Sequence, residues 1–427
     1  MQNTLKHLIT FLLLFVTVNI TNAQSEKISL EECHQLARTN YPVIKKLGLI
    51  AQTSGYDIQN ANKRFLPQVN FSGQASYQSE TVSFPDALGM AGFAGLLPVI
   101  SKDQYRIQGE VNQLIYDGGN TKKQKDLIKA NSGLQEQNLE VNLYGIKQRI
   151  NSIYFSILLM DAQLNQNELN KANLQTQMQK TEAALKNGVA FRSNLDELKA
   201  EVLNMEMTGT EYKSNRKAYL SMLSLFIGKE LSSASQLEIP KANSGQVEIN
   251  RPELKAFDFQ KSIYDTQRKQ LSVDYLPQVN AFFQAAYGRP TLNIIENKFG
   301  PWYITGIKFN WSLGSLYALS NKRNNLSIQQ QSVEVDRETF LLNTRIDLSQ
   351  QDENVKKYSE LIKQDEEAIA LRSSVTKSAA AQLENGVITT HEYIQKLNSE
   401  NLARENKIVH EIQLLQAIYN HKFITGN

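Results

Sequence analysis

The sequence has little of what an enzyme or a metalloprotein needs. Its 427 residues include one cysteine, Cys33, so no disulfide can form within the chain. The five histidines, at positions 7, 34, 391, 410 and 421, have no spacing typical of a metal site. No glycine-rich phosphate loop and no pairing of a nucleophile with a base is recognisable. The sequence therefore predicts no enzymatic activity, no cofactor and no metal.

An excess of charge of one sign is also missing. The 46 basic and 43 acidic residues are interspersed along the chain. No basic block of the kind that binds nucleic acid stands out, so we expect no nucleic-acid partner.

Long hydrophobic runs are scarce, and the clearest one, from Leu8 to Val18, lies near the start of the chain. Lys6 precedes it and the small residues Thr21-Asn22-Ala23 follow it, which is the pattern of a secretory signal peptide. The run is too short to cross a bilayer as a helix. We predict a signal peptide over residues 1–23, and no cysteine follows the cleavage site to accept a lipid anchor.

Proline is absent from two long stretches. None of the nine prolines lies between Pro98 and Pro240, and none follows Pro301. Proline breaks helix interiors, and both stretches are rich in helix-forming residues. In the first stretch, apolar residues recur in alternating steps of three and four, as in a coiled coil: Leu143, Ile146, Ile150, Ile153, Ile157, Met160 and Leu164. We therefore predict long coiled-coil helices, one of them from about Asn120 to about Lys186.

A second apolar seam of the same kind runs from Leu195 to Phe226. Gly209 and Arg216 occupy two of its positions and interrupt it. The spacing on either side is nevertheless that of a coiled-coil helix.

The chain contains an internal duplication. The segment Phe65–Asn70 recurs 210 residues later as Tyr275–Asn280, with the same Leu-Pro-Gln-Val-Asn ending. The segment Asn187-Gly188-Val189 recurs 198 residues later as Asn385-Gly386-Val387. Matched motifs in the same order indicate a tandem repeat.

Polar and apolar residues alternate after each Leu-Pro-Gln motif, as in strands with one apolar face. We predict a strand hairpin at residues 66–116 of repeat 1 (24–240) and another at residues 276–313 of repeat 2 (241–427). A strand of about ten residues is long enough for a tilted membrane strand. Four strands cannot close a barrel, and open edges are not tolerated in lipid. Several copies must therefore share one barrel, or the hairpins form a water-exposed sheet.

The order of elements is doubled: helix, strand hairpin, long helix, Asn-Gly turn, long helix. The motifs that accompany it are Ile28–Ala37, the two Leu-Pro-Gln segments, Tyr116-Asp117-Gly118-Gly119, Arg251-Pro252-Glu253-Leu254 and the two Asn-Gly-Val turns. Together they resemble the TolC family of outer membrane efflux proteins (OEP) over essentially the whole mature chain. Repeat 2 departs from the family pattern, because Trp311–Ser315 stands where the family has an Asp-Gly-Gly turn.

The resemblance implies a mainly α fold with membrane β: long coiled-coil helices forming a periplasmic α-barrel, and four strands contributed to a shared transmembrane β-barrel. It implies a homotrimer in the outer membrane of a Gram-negative bacterium, in contact with outer-membrane lipid. The implied partners are a periplasmic adaptor and an inner-membrane transporter of the RND, ABC or major-facilitator (MFS) class. The implied function is passive conduction of exported substrates, in tripartite efflux or type I secretion. The residues predicted to line the barrel lumen are Gln104, Arg106, Gln108, Glu110 and Lys308.

The two Asn-Gly-Val turns, near residues 188 and 386, are predicted to join antiparallel helices at the periplasmic tip, where an adaptor would dock. The docking residues are Asn187, Gly188, Val189, Asn385, Gly386 and Val387. By the resemblance, acidic residues six positions after the turn glycine help to form the aperture. The predicted aperture residues are Asn194, Asp196, His391 and Glu392, of which Glu392 fits this spacing and Asn194 is neutral. On the residues alone, the turns are equally consistent with ordinary helix-hairpin turns.

Two other functions suit a secreted coiled-coil protein. A periplasmic adaptor would carry one coiled-coil hairpin between glycine-rich β segments. An envelope structural protein would leave the membrane without detergent. Two helical hairpins and two amphipathic strand pairs favour the channel over both.

Overall fold

The computed structural model describes residues 27–82, 100–242, 248–294 and 296–426. The predicted signal peptide and most of the loop in the first strand hairpin lie outside the described residues. In chain order the helices and strands are α1 (Leu30–Asn40), α2 (Lys46–Asn62), β1 (Gln68–Tyr77), β2 (Asp103–Tyr116), α3 (Asn120–Lys186), α4 (Arg192–Ile227), α5 (Pro252–Leu271), β3 (Gln278–Arg289), β4 (Gly300–Asn310), α6 (Leu319–Glu384) and α7 (Thr390–Thr425). Short 3-10 helices occupy Pro42–Lys45, Lys63–Phe65 and Leu313–Ala318.

The chain divides into two compact units, each built from separate segments. Unit 1 comprises Met1–Ile44, Glu140–Pro252 and Phe340–Asn427, and unit 2 comprises Lys45–Leu139 and Glu253–Thr339. Each unit takes segments from both halves of the sequence. The linear division into tandem repeats stays a prediction.

Unit 2 contains one antiparallel sheet in the strand order β1-β2-β3-β4. Its register pairs Ser72 with Gln108, Gln108 with Ala286, and Ala286 with Trp302. The predicted strand alternation is confirmed, because the polar residues that follow each Leu-Pro-Gln motif share a face in this register. Strands β1 and β4 lie at the two edges of the sheet.

The apolar face of this sheet is the more exposed of the two. Phe71 is 83% exposed and Ile107 is 71% exposed, whereas Gln108 on the polar face is 7% exposed. The Phe71 ring also covers Gly109 on the neighbouring strand, where an added Cβ would lie 3.1 Å from the ring. A sheet with one wet face in a water-soluble protein buries its apolar face, so this arrangement is the reverse of the usual one.

The turn from β2 into α3 is set by Asp117. Its carboxylate accepts hydrogen bonds from the N–H groups of Gly119, at 2.9 Å, and Thr121, at 2.7 Å. Gly118 and Gly119 both have positive φ, 70° and 85°. The equivalent segment of repeat 2 forms the 3-10 helix Leu313–Ala318, in line with its departure from the Asp-Gly-Gly pattern.

In unit 1 the predicted apolar seams are buried. Ile150 and Ile157 of α3, with Leu198 and Leu223 of α4, are at most 1% exposed. The predicted coiled-coil helices are therefore confirmed, and α3 has the predicted bounds, Asn120–Lys186. Within the described ranges, no helix has both the length and the apolar character needed to cross a membrane.

Helices α4 and α7 finish in the same way. A glycine with positive φ follows each of them, Gly228 (66°) after α4 and Gly426 (92°) after α7. Asn40 donates its side-chain amide to the carbonyl of the last residue of α4 at 2.6 Å. The N–H of Asn250 donates to the carbonyl of the last residue of α7, also at 2.6 Å. Asn40 and Asn250 each stand two residues before a proline and are 210 residues apart, the offset of the two Leu-Pro-Gln motifs, so their positions are consistent with the internal repeat.

Candidate functional site

Both Asn-Gly-Val turns close a long helix with the same hydrogen bonds. The turn glycines have positive φ, 74° at Gly188 and 70° at Gly386. In the first turn, the N–H of Gly188 donates to Leu185 O and that of Val189 donates to Ala184 O, both at 3.0 Å. The second turn repeats the two bonds with equivalent residues, at 3.1 and 2.8 Å. This is a Schellman motif, in which a left-handed glycine satisfies the last carbonyls of the helix.

Apolar side chains stand exposed at these turns. Val189 is 79% exposed, Phe191 is 78% exposed and Val387 is 69% exposed. Contiguous exposed apolar groups mark surfaces that bind other molecules. Phe191 was not among the predicted docking residues. Its position corresponds to Thr389 in repeat 2, and an aromatic residue at this position of the first turn could have indicated an apolar surface.

The helices after the two turns begin differently. Thr389 is the N-cap of α7: its hydroxyl accepts from the Glu392 N–H at 3.2 Å, and the Glu392 carboxylate accepts from the Thr389 N–H at 2.8 Å. This is a capping box, and it satisfies two backbone donors at the start of the helix. The hydrogen bond from the Thr389 backbone holds the pKa of Glu392 below its ordinary value. Helix α4 lacks the box, because its N-cap is Phe191 and Asn194 stands in place of Glu392.

His391 joins the starts of α4 and α7. Its Nδ1 lies 2.9 Å from Glu197 Oε1 on α4, and its Nε2 accepts from the Gln395 amide at 2.9 Å. Asp196 contacts Arg192 on its own helix instead, at 3.8 Å. The predicted aperture residues thus all lie within the first five residues of α4 and α7. Their role in an aperture stays a prediction.

A buried cluster holds the four helix ends together beneath the turns. Its members come from α3, α4, α6 and α7: Leu174, Leu198, Ala379, Tyr393, Ile394 and Leu397. Polar contacts link the two helical hairpins as well, with Lys180 Nζ 2.6 Å from Glu384 Oε1 and the Asn398 amide 3.0 Å from Glu201 Oε1. The two turns therefore stand on one packed base.

The residues predicted to line a lumen lie together on the polar face of the sheet. They are Gln104, Arg106, Gln108 and Glu110 of β2 and Lys308 of β4. Arg106 donates to the amide oxygen of Gln74 at 3.1 Å, and Glu110 accepts from the Asn112 amide at 2.7 Å. Side-chain amides thus surround the charges on this face. That the face borders a lumen stays a prediction.

Unit 1 also holds a cleft of about 1070 Å³. Apolar residues such as Leu158, Leu237 and Ile412 line most of it, and the ion pair of Arg216 with Asp161 lies at its border. Among the residues that the structure describes, no three histidine, cysteine, aspartate or glutamate side chains are grouped to hold a metal ion.

Comparison with known proteins places these features in a family. Residues 34–229 match the family model of the outer membrane efflux proteins. The solved structure of CusC, a transmembrane channel, superposes with a TM-score of 0.67 at 13% identity, over 93% of this chain and 92% of that one. The outer-membrane channel OprN gives 0.66 at 12% identity, over 93% and 89%. The outer membrane protein VceC of Vibrio cholerae gives 0.63 at 11% identity, over 92% and 95%. Among curated proteins no sequence matches.

The family model and the shared fold confirm the predicted relation to the TolC and outer membrane efflux family. They also confirm the fold class, long helices combined with a four-strand sheet. Proteins of this family are efflux channels of the outer membrane and not enzymes, and they have a large periplasmic helical part.

Proposed function

We propose that this outer membrane efflux protein is one protomer of a homotrimeric channel. The channel passively conducts substrates from a periplasmic adaptor and an inner-membrane RND, ABC or MFS transporter to the exterior, in tripartite efflux or type I secretion. The observation that carries the proposal is the inverted sheet of unit 2, in which Phe71 and Ile107 are exposed while Gln108 is buried. Such a sheet suits lipid on one face and a polar passage on the other.

The edges of the sheet support a barrel shared between copies. Strands β1 and β4 are the edge strands, and each offers unpaired backbone groups to a strand from another copy. The smallest single-chain outer-membrane barrels have about eight strands, so the four described here do not suffice. Three copies would supply twelve strands, the number that the family resemblance implies.

Crosslinking between copies tests this arrangement. We expect a bifunctional thiol reagent to form covalent dimers and trimers when one cysteine replaces Ser72 on β1 and another replaces Ile304 on β4. Both positions are central and on the polar face, and moving the second cysteine to Trp302 or Gly306 covers neighbouring registers. The matched control pairs Ser72→Cys with Gln108→Cys, which face each other within one chain and should link internally. Monomers alone from every β1–β4 pair would contradict a shared barrel.

The exposed apolar turns support adaptor docking. Val189, Phe191 and Val387 present apolar surface from turns that glycines fix and a buried cluster supports. A preformed surface of this kind binds a partner with little loss of conformational freedom. We assign Asn187 and Asn385, with the rest of both turns, to this docking surface.

Adaptor binding measures the contribution of the turns. Val189→Asp and Val387→Asp should each weaken binding of the purified adaptor at least tenfold, because a carboxylate would be desolvated in the contact. Leu371→Asp is the matched control, since Leu371 is exposed on α6 outside both turns. Equal binding by all three variants would show that the turns only connect helices.

Passive conduction is consistent with the chemistry of the polar face. Amides outnumber charges there, and Arg106 and Glu110 are each hydrogen-bonded to an amide. Such a lining solvates many polar solutes without holding one tightly, as conduction requires. The energy for export would come from the inner-membrane transporter.

A further inference from the structure

A pocket in unit 2 lies between α5 and α6, close to the end of the sheet. It has a volume of about 430 Å³, and its wall includes Arg268 from α5 and Ser320, Arg323 and Asn324 from α6. Leu316, in the 3-10 helix that joins β4 to α6, also lines the pocket. Two guanidinium groups, a hydroxyl and an amide therefore border one small space.

Arg268 and Arg323 bring two positive charges to this pocket. Within the described ranges, no carboxylate lies within 4.0 Å of Arg268 or Arg323. Further from the sheet, polar contacts join α5 to α6. These contacts are Lys261 with Glu334 at 2.9 Å, Asp258 with Arg337 at 3.8 Å, and Asp265 with Gln330 at 2.7 Å. At the end nearest the sheet, the two arginines that share the pocket have no such contact across the helices among the described residues.

Exposed apolar residues continue from the sheet to the rim of the pocket. Phe309 ends the exposed apolar row of β4. Trp311, Leu313, Leu316 and Tyr317 follow the strand, and Tyr317 is 90% exposed. Arg323 lies seven residues beyond Leu316, two helical turns or about 10 Å along the axis. The headgroup layer of a bilayer is about 5–8 Å thick on each side of the hydrocarbon. If Leu316 and Tyr317 stand at the edge of the hydrocarbon, the Arg323 backbone lies just beyond this layer. Side chains of a helix tilt towards its N-terminus, here towards Leu316, so the Arg323 guanidinium can reach back to the headgroups.

We propose that this pocket binds the phosphate of an anionic phospholipid in the periplasmic leaflet of the outer membrane. Arg268 and Arg323 bind the phosphate oxygens, Ser320 and Asn324 add neutral donors, and an acyl chain lies against Leu316 and Tyr317. Arginine suits this role because its planar guanidinium matches phosphate oxygens in pairs, and basic pockets between helices at a membrane surface bind such headgroups. This inference rests on one part of the proposed function, the position of the protein in the outer membrane. It does not depend on binding of an adaptor or of an inner-membrane transporter.

Fluorescence quenching tests the site in the full chain. The protein has two tryptophans, so Trp302→Phe leaves Trp311, five residues before Leu316, as the only tryptophan, and it is excited selectively over the tyrosines. The protein is reconstituted in phosphatidylcholine vesicles that contain brominated phosphatidylglycerol or brominated phosphatidylcholine in equal amounts. We expect the anionic lipid to quench Trp311 several-fold more strongly, and Arg268→Gln with Arg323→Gln to bring that ratio to about one.

Matched variants and a soluble competitor separate the possible outcomes. Arg345→Gln with Arg372→Gln removes two exposed arginines from elsewhere on α6 and should keep the wild-type ratio. The proposal is overturned if the wild type shows no preference, if the pocket variant keeps it, or if the control variant loses it equally. Equal quenching by the two lipids, together with inorganic phosphate binding that the pocket variant loses, would identify a free-anion site instead. Planar-bilayer conductance of the same proteins reports separately on the channel, so failure of the proposed function is recognised independently.

Discussion

Asn167 of α3 occupies the space that a side chain at Gly209 of α4 would need. An added Cβ at Gly209 would lie 2.9 Å from Asn167 Nδ2, which donates to Met205 O at 2.9 Å. Asn167 is buried, so this hydrogen bond satisfies a polar group that water does not reach. Gly209 interrupts the second apolar seam because α3 and α4 are in close contact at this position.

Arg216, the other interruption, has an equally specific contact. It forms an ion pair with Asp161 of α3 and donates to the backbone carbonyls of Ser233 and Ser235, both at 2.8 Å. These bonds tie the segment that follows α4 to the pair of helices. The charged residue in the apolar seam thus lies where the paired helices contact the segment that follows α4.

Gly209→Ala should destabilise the protein by about 1 kcal/mol, although alanine favours a helix over glycine by a similar amount. The added methyl group displaces the Asn167 amide from Met205 O, and an unpaired buried polar group costs about 1–3 kcal/mol. Gly145→Ala in α3 is the matched control, because nothing lies within 4 Å of its added Cβ, and it should stabilise by about 0.5–1 kcal/mol. The midpoint of thermal unfolding measures both. A rise for both variants would contradict the contact.

Removal of the capping box should weaken the start of α7 in a pH-dependent way. Thr389→Ala removes the N-cap and should cost about 1 kcal/mol. The pKa of Glu392 is lowered in the folded protein, so its stabilising effect is present above its ordinary value of 4.5 and is lost as the pH falls through the folded-state value. Glu392→Ala should therefore lower the unfolding midpoint at neutral pH and by less in acid. Asn194→Ala, at the equivalent position without a box, should show no such difference between the two conditions.

The sequence could predict the features that depend on local periodicity. The bounds of α3 follow from the absence of proline and a continuous apolar seam, and the strand alternation follows from a two-residue period. Gly188 and Gly386 could be assigned positive φ because each ends a helical pattern. Thr389 and Glu392 also have the spacing of a capping box, although the family resemblance directed attention to an aperture.

Contacts between distant segments could not be predicted in this way. His391 meets Glu197 across 194 residues, and no local pattern records that α4 and α7 start side by side. The unmatched arginines Arg268 and Arg323 are likewise ordinary exposed residues in the sequence, and only the packing of α5 against α6 places them together. Such sites depend on which helix faces pack, which a single sequence does not specify.

Glu392→Gln should reduce the cation preference of the channel. Glutamine also serves in a capping box, so this variant removes the charge and keeps the start of α7 intact. If three copies place Glu392 around one aperture, their carboxylates favour cations, and the variant loses that preference. The reversal potential in a salt gradient across a planar bilayer measures it, with Asn194→Gln as a neutral control. An unchanged reversal potential would exclude Glu392 from the aperture.

Cys33 should resist alkylation as long as the protein is folded. Its side chain is fully buried, and burial raises the pKa of the thiol to about 12. Because the thiolate is the reactive form, only about one thiol in ten thousand is reactive at about pH 8, even before access is considered. Mass spectrometry after iodoacetamide treatment should find the folded protein unmodified and the denatured protein with one adduct, since the chain has no other cysteine. Val189→Cys supplies the control, because a thiol at that exposed turn should react in the folded state. Rapid modification of wild-type Cys33 without denaturant would contradict the buried position of α1.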